Sequence, residues 1–242
     1  MYLGTIESPD RIVKDGLIGY FDAAQLRSWP RTGTTLTNLF GSAPAGSLVN
    51  GVSSGNEYGG VLIFDGTDDY INFGSAINNG YNQVGVGMSV CLWYNYEYGV
   101  LGSMWLTQCA DANINNVGLG ILLDVGGGNL DVSSYCLVNN ATYVIASTRN
   151  VFNAFVPNYV VGTYNSSTGA IAIYKNGVLQ TNNVNTPRNI WSDTNANLFI
   201  GRSRSSLPQY NGKIYAAHYY NRALTAAEVL QNYNATRGRF RL

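Results

Sequence analysis

The sequence predicts an all-β fold, a two-sheet antiparallel β-sandwich with one short C-terminal helix. Three observations predict it. Short runs of β-branched and aromatic residues recur along the chain, Gly/Asn/Asp turn signals separate them at spacings of about 8–12 residues, and no helical stretches alternate with strands as βαβ units would require. Only near the end does the period change from two to that of a helix. The chain's 242 residues suit a single all-β unit.

The first strand expected is Gly16 to Asp22, preceded by a polar arm over 1–15. Residues 23–60 are rich in Gly, Ser, Pro, Thr and Asn and read as loops crossing a sandwich edge. Val61 to Phe64 and Tyr70 to Gly74 flank Asp65-Gly66-Thr67-Asp68-Asp69, which reads as a hairpin turn. Met88 to Asn95 is apolar on both faces and fits a central strand. Val117 to Asp124 and Asn129 to Tyr135 pair around Gly126-Gly127-Gly128. Ala170 to Lys175 alternates into Asn176-Gly177, where both central residues of a type I′ turn need positive φ. Asn197 to Gly201 and Gly212 to Tyr220 are the last strands. Thr225 and Glu228 are spaced as a capping box, and Val229, Leu230 and Tyr233 follow at helical spacing, so a helix of about ten residues ends near Gly238.

Charged residues make up only 12 % of the chain and its formal net charge is zero, while Gly (28) and Tyr (18) are abundant. No basic cluster exists to neutralise phosphates, which excludes nucleic acid as a partner. No apolar run reaches the length of a membrane span. The first ten residues lack the basic and apolar segments of a signal peptide, so synthesis and retention in the cytoplasm is the expectation. A surface of Tyr, Asn, Ser and Gly offers flat apolar faces and hydrogen bonds, as binding loops do, and equally suits packing against neighbours. Cys91, Cys109 and Cys136 share no metal-ligand spacing and read as buried free thiols.

Four ordered segments resemble the laminin-G-like branch of the concanavalin A-like lectin/glucanase jelly roll. They are Leu62 to Ile71, Ser89 to Asn95, Val160 to Tyr164 leading into Tyr174 to Val178, and Gly212 to Ile214 followed by Tyr220 to Thr225 and the Glu228 helix. Together they span residues 16–235, the expected domain, between the arm at 1–15 and a tail at 236–242. Gly16 to Asp22 and Asn232 to Phe240 further resemble structural proteins of tailed bacteriophages, notably those of cyanobacteria. That likeness implies a virion component (decoration, fibre or tail accessory protein) whose terminal arms dock on other virion proteins, made in the host cytoplasm and released by lysis. Self-association as a homo-oligomer is compatible with it. A free-standing carbohydrate-binding lectin is the other reading. Where many members carry an acidic pair, this chain has Tyr215 and Ala216.

Glucanases of this fold use paired carboxylates on one strand. The glutamates here are Glu7, Glu57, Glu97 and Glu228, and no strand carries such a pair, so no catalytic residue is expected. His218 is the only histidine and reads as a packed strand residue rather than part of a Ser–His–Asp site. The resemblance implies calcium at the sandwich rim, for which Asp65, Asp68 and Asp69 are the candidates by position. Their alternative role is to cap the turn. Exposed rings that stack on sugars would come from the segment Trp93 to Tyr98, with Tyr96, Tyr98 and Trp105 as ligand-binding candidates; the alternative is that Trp93 and Tyr94 are core.

Overall fold

The computed structural model describes residues 11–75, 87–97, 102–110, 118–126, 129–138, 142–150, 152–190, 196–202 and 209–242. Among them sixteen strands form two antiparallel sheets. The first sheet runs β14(Val178–Val184), β13(Ala170–Lys175), β12(Asn158–Asn165), β7(Met88–Tyr96), β16(Asn211–Tyr220), β5(Val61–Asp65), β4(Ser53–Gly55), with β1(Leu17–Asp22) beside the second half of β16. The second runs β11(Thr142–Thr148), β10(Asn129–Val138), β9(Gly118–Gly126), β8(Gly102–Ala110), β15(Asn197–Ile200), β6(Tyr70–Ser75), β3(Gly46–Val49), β2(Thr35–Leu36). Helix α1(Ala226–Thr236) and a 3-10 turn, Arg237–Phe240, close the chain.

Period-two alternation builds the main core. Val90, Leu92, Tyr94 and Tyr96 of β7 face Ile121, Leu123, Val132 and Ala146 of the second sheet, all at most 0 % exposed. The other face of β7 is buried as well. Cys91 and Trp93 join Tyr159, Val161, Tyr220 and Val229 in a second apolar cluster between the first sheet and α1. Trp93 stacks on Phe240 (4.1 Å) and its Nε1–H donates to Thr236 Oγ1 (2.8 Å). Burying a ring of this size removes enough apolar surface to hold the helix on the sheet.

The capping box forms as the spacing requires: Glu228 N–H donates to Thr225 Oγ1 (3.3 Å) and Thr225 N–H to Glu228 Oε2 (2.8 Å). Arg222 grips the same carboxylate at 2.9 and 2.6 Å. This contact, first among its causes, pulls Glu228 down to about 2. Asn232 of the helix ties down the start of the chain, accepting from Val13 N–H (2.8 Å) and donating to Tyr220 Oη (3.0 Å).

The Asn176-Gly177 turn is as expected, with φ +50° and +82°. It is pinned to β12 by Asn176 N–H on Tyr159 O (2.9 Å) and Tyr159 N–H on Asn176 Oδ1 (3.0 Å).

Two expectations are corrected. The strands around Asp65–Asp69 do not pair with each other: β5 lies in the first sheet and β6 in the second. The carboxylates draw the loop into an arch instead, Asp65 accepting from Thr67 N–H (2.7 Å) and Asp69 from Asp65 N–H (3.1 Å). Residues 23–60 are not loops alone, because β2, β3 and β4 lie among them. Residues 11–13 and 237–240 pack on this chain's own first sheet. Ile12 and Val13 are buried, and Arg239 reaches inward to Asp22 Oδ1 (2.7 Å) and to the carbonyl of Tyr58. Residues 1–10 lie outside the described part of the chain.

Candidate functional site

With α1, residues 11–13 and residues 237–240 over the first sheet, the outer face of the second sheet carries no helix among the described residues. Its outward residues alternate with core residues on each strand: Tyr70 and Asn72 on β6, Phe199 on β15, Trp105 and Gln108 on β8, Leu122 and Asp124 on β9, Tyr135 on β10, and Tyr143 and Ile145 on β11. Two ring groups stand on it. Trp105 meets Tyr135 edge-on at 5.6 Å, and Tyr135 meets Tyr143 at 6.3 Å. On the next two strands, β15 and β6, Tyr70 meets Phe199 at 5.8 Å beneath the Arg202 guanidinium. Gln108 lies between the groups, opposite Phe199 in the register, and donates from Nε2 to Arg202 O (2.8 Å). From β6 to β11 the face is about 24 Å wide at ordinary strand spacing.

The exposure is graded. Tyr143 is 42 % exposed, whereas Trp105 is 6 % exposed and Gln108 2 %. Tyr70, Leu122, Tyr135 and Arg202 are half-buried, and Asp124 is exposed. Burial raises the Tyr135 phenol, and the nearby Asp124 carboxylate adds to the effect.

The aromatic candidates separate. Tyr96 is fully buried, on the same inward face of β7 as Val90, Leu92 and Tyr94, so it offers no stacking surface. The period-two spacing from Met88 onward carries that signal already. Tyr98 lies outside the described residues. Trp105 belongs to the other sheet from Trp93 and stands on the outer face just described. Tyr70, Phe199, Tyr135 and Tyr143 were not singled out from sequence, although Asp131, Ser133 and Tyr135 alternate visibly with Leu130, Val132 and Cys136.

The three aspartates do converge. Their carboxylates lie within 4.8 Å of one another, Asp65 and Asp68 exposed and Asp69 3 % exposed. Turn-capping uses Asp69 Oδ2, but Oδ1 is buried with no hydrogen-bond partner. Burial raises the Asp69 carboxyl, partly countered by the Asp65 amide, and the neighbouring Asp65 and Asp68 charges push the same way as burial. An all-oxygen, multiply charged donor set with an unsatisfied buried oxygen fits a hard cation such as calcium.

Two glutamates also meet, which no strand motif foretold. Glu57, before β5, and Glu97, after β7, both bind Lys213 Nζ, at 2.9 and 2.6 Å. Partial burial acts to lower the lysine, but the hydrogen bonds to Glu97 and Glu57 outweigh it and raise the ammonium above its usual range. A permanent cation therefore fills the space between the carboxylates that a glycosidic oxygen or attacking water would need. His218 is 1 % exposed beneath Tyr20 (4.7 Å, edge-on), and neither ring nitrogen has a partner among the described residues. Burial holds it down at about 4, with Asp22 opposing, so it is neutral at neutral pH and shielded from substrate. The three cysteines are buried and unpaired. No helix among the described residues is long and apolar enough to cross a membrane.

A two-sheet antiparallel sandwich with one sheet sealed by a terminal helix and the other presenting aromatic and amide side chains is a lectin/glucanase-type β-sandwich. The chain belongs to the concanavalin A-like lectin/glucanases superfamily, whose family model matches residues 65–230. No curated protein matches it. Among solved structures it is similar in fold to domain 4 of AbnA, a GH43 extracellular arabinanase from Geobacillus stearothermophilus, solved in complex with arabinotriose. The TM-score is 0.65 at 17 % identity, covering 91 % of this chain and 99 % of that one. It is similar also to the SAP-like pentraxin of Limulus polyphemus (TM-score 0.52, 17 % identity, 69 % of this chain and 78 % of that). A third likeness is to the receptor-binding domain of botulinum neurotoxin C/D mosaic serotype (TM-score 0.69, 14 % identity), where the chain covers 93 % of itself and spans about half, 52 %, of the toxin fragment.

Proposed function

We propose that this chain is a non-catalytic carbohydrate-binding β-sandwich whose saccharide lies across the outer face of the second sheet. The observation that carries the reading is the set of accessible rings on the face opposite the one α1 seals, Tyr143 exposed and Tyr70 and Tyr135 half-buried, with the buried Phe199, Trp105 and Gln108 beside them. Aromatic rings cover the apolar faces of sugar rings, while amides and carboxylates between them take hydroxyl hydrogen bonds. The arabinotriose complex of the arabinanase domain supports the same ligand class. Calcium at Asp65, Asp68 and Asp69 would brace the arch that leads into Tyr70 and hold that ring's strand in place.

A glycan array tests the reading. Saturable binding to some saccharide is expected, and Tyr143→Ala should weaken it about 5- to 10-fold, the equivalent of about 1–1.4 kcal/mol of lost stacking. A blank array overturns it. Tyr96→Ala, by contrast, would report on folding, because that ring is core.

The finer placement we propose is on a phage virion, as a decoration, fibre or tail accessory protein. It is supported by the likeness of Gly16 to Asp22 and Asn232 to Phe240 to such proteins. Because residues 11–13 and 236–240 are engaged with this chain's own sheet, contacts to other virion proteins would fall elsewhere on the surface. Mass spectrometry of purified particles should find the chain at stoichiometric levels, and its absence would overturn this placement.

A further inference from the structure

Two side chains on the outer face keep unused hydrogen-bonding atoms among the described residues. The Arg202 guanidinium sits 4.6 Å from the Tyr70 ring centre and 4.7 Å from that of Phe199. The two rings stand 78° apart, so the guanidinium plane can lie flat on one of them at most, and its five N–H donors are not used up by that contact. Among the described residues Arg202 meets no carboxylate and donates no hydrogen bond; only its main-chain carbonyl is used, by Gln108. Gln108 is the second group. Its side chain is 2 % exposed, and its Nε2 is fixed as the amide nitrogen by the carbonyl it binds, so the remaining atom is the acceptor Oε1, buried and unpartnered.

A buried acceptor without a donor is a standing penalty that a bound hydroxyl or N–H would remove. A fork of free guanidinium donors matches a carboxylate in width and charge. Gln108 is the cross-strand neighbour of Phe199, one of the two rings under Arg202, and its amide holds the Arg202 carbonyl. A ligand that satisfies both needs an anionic planar group and a hydrogen-bond donor on one small, partly apolar ring.

We propose that Arg202 and Gln108, with Tyr70 and Phe199, form a subsite for a carboxylated sugar, a uronic or sialic acid unit. The carboxylate is bound by Arg202 and a ring hydroxyl or N–H donates to Gln108 Oε1. This inference rests on the carbohydrate-binding reading and adds to it the charge of the ligand.

The test compares oligosaccharides bearing a carboxylate with the same compounds reduced to the neutral alcohol, by calorimetry or array. The wild-type chain should favour the carboxylated form at least ten-fold, with the preference shrinking as salt rises. Arg202→Gln should weaken the acidic ligand at least ten-fold more than its neutral counterpart. Arg202→Lys, which keeps charge and loses the fork, should fall between. Gln108→Leu should weaken the acidic ligand as well, with circular dichroism checking that each variant is folded. Binding of neutral saccharides alone, or an acid preference that survives Arg202→Gln, overturns the subsite and leaves carbohydrate binding standing. No binding to any saccharide overturns both.

Discussion

Lowering the pH from 7 to 5 should destabilise this protein chiefly through His218. The imidazole has an ordinary value of 6.5, and burial brings it to about 4 in the folded chain. A base depressed on folding takes up protons in the unfolded chain first. Its contribution is therefore fully present above pH 6.5, declines as pH falls from 6.5 towards 4, and then levels off. The whole shift corresponds to on the order of 3 kcal/mol, and about 2 kcal/mol of it should be lost by pH 5. For a domain of this size that lowers Tm by about 4–8 °C. Because the chain has one histidine, the assignment is unambiguous. Urea midpoints or calorimetric Tm at pH 7, 6 and 5 read the effect. His218→Leu, which removes two unpartnered nitrogens, should be no less stable than wild type at pH 7 and flat between 7 and 5. A wild-type Tm unchanged over this range, or an equal slope in His218→Leu, would refute the reasoning.

Glu228→Ala removes a capping-box member and the bidentate partner of Arg222 together, and should cost about 1–2 kcal/mol in a denaturant titration. Because Glu228 is held at about 2, its stabilisation is present above its ordinary 4.5 and should fade as pH drops from there towards 2, below the histidine window. Calcium should raise Tm, by the equivalent of about 2.7 kcal/mol at a hundred times Kd, and Asp69→Asn should abolish the rise. An equal calcium response in Asp69→Asn would leave the rim aspartates as turn caps only.

Much of the fold was legible because local chemistry and global structure agree. Asn176-Gly177 could serve little but a type I′ turn, and Thr225 with Glu228 little but a helix start. The arch at Asp65–Asp69 was misread because a hairpin and a sheet-to-sheet crossover use the same turn residues. What separates them is where β5 and β6 find partners, in β16 and β15, more than a hundred residues away. Residues 23–60 hid β2, β3 and β4 because strands of two to four residues are too short to show alternation. The site was less legible. Trp93 and Trp105 are close in sequence yet lie on different sheets, and Tyr143 and Phe199 meet the same face from strands no local pattern connects. The Glu57–Lys213–Glu97 triad likewise joins three distant segments. Contacts of that kind come from topology, which single-sequence periodicity does not encode.

The central claim is that ligand binds on the outer face of the second sheet. Hydrogen exchange on the chain with and without a saccharide identified on the array addresses it directly. New protection is predicted on β8 to β11 and around β15 and Arg202, with α1 and the Lys213 region unchanged. Protection confined to the helix-covered sheet, or turnover of the saccharide during the experiment, would contradict it.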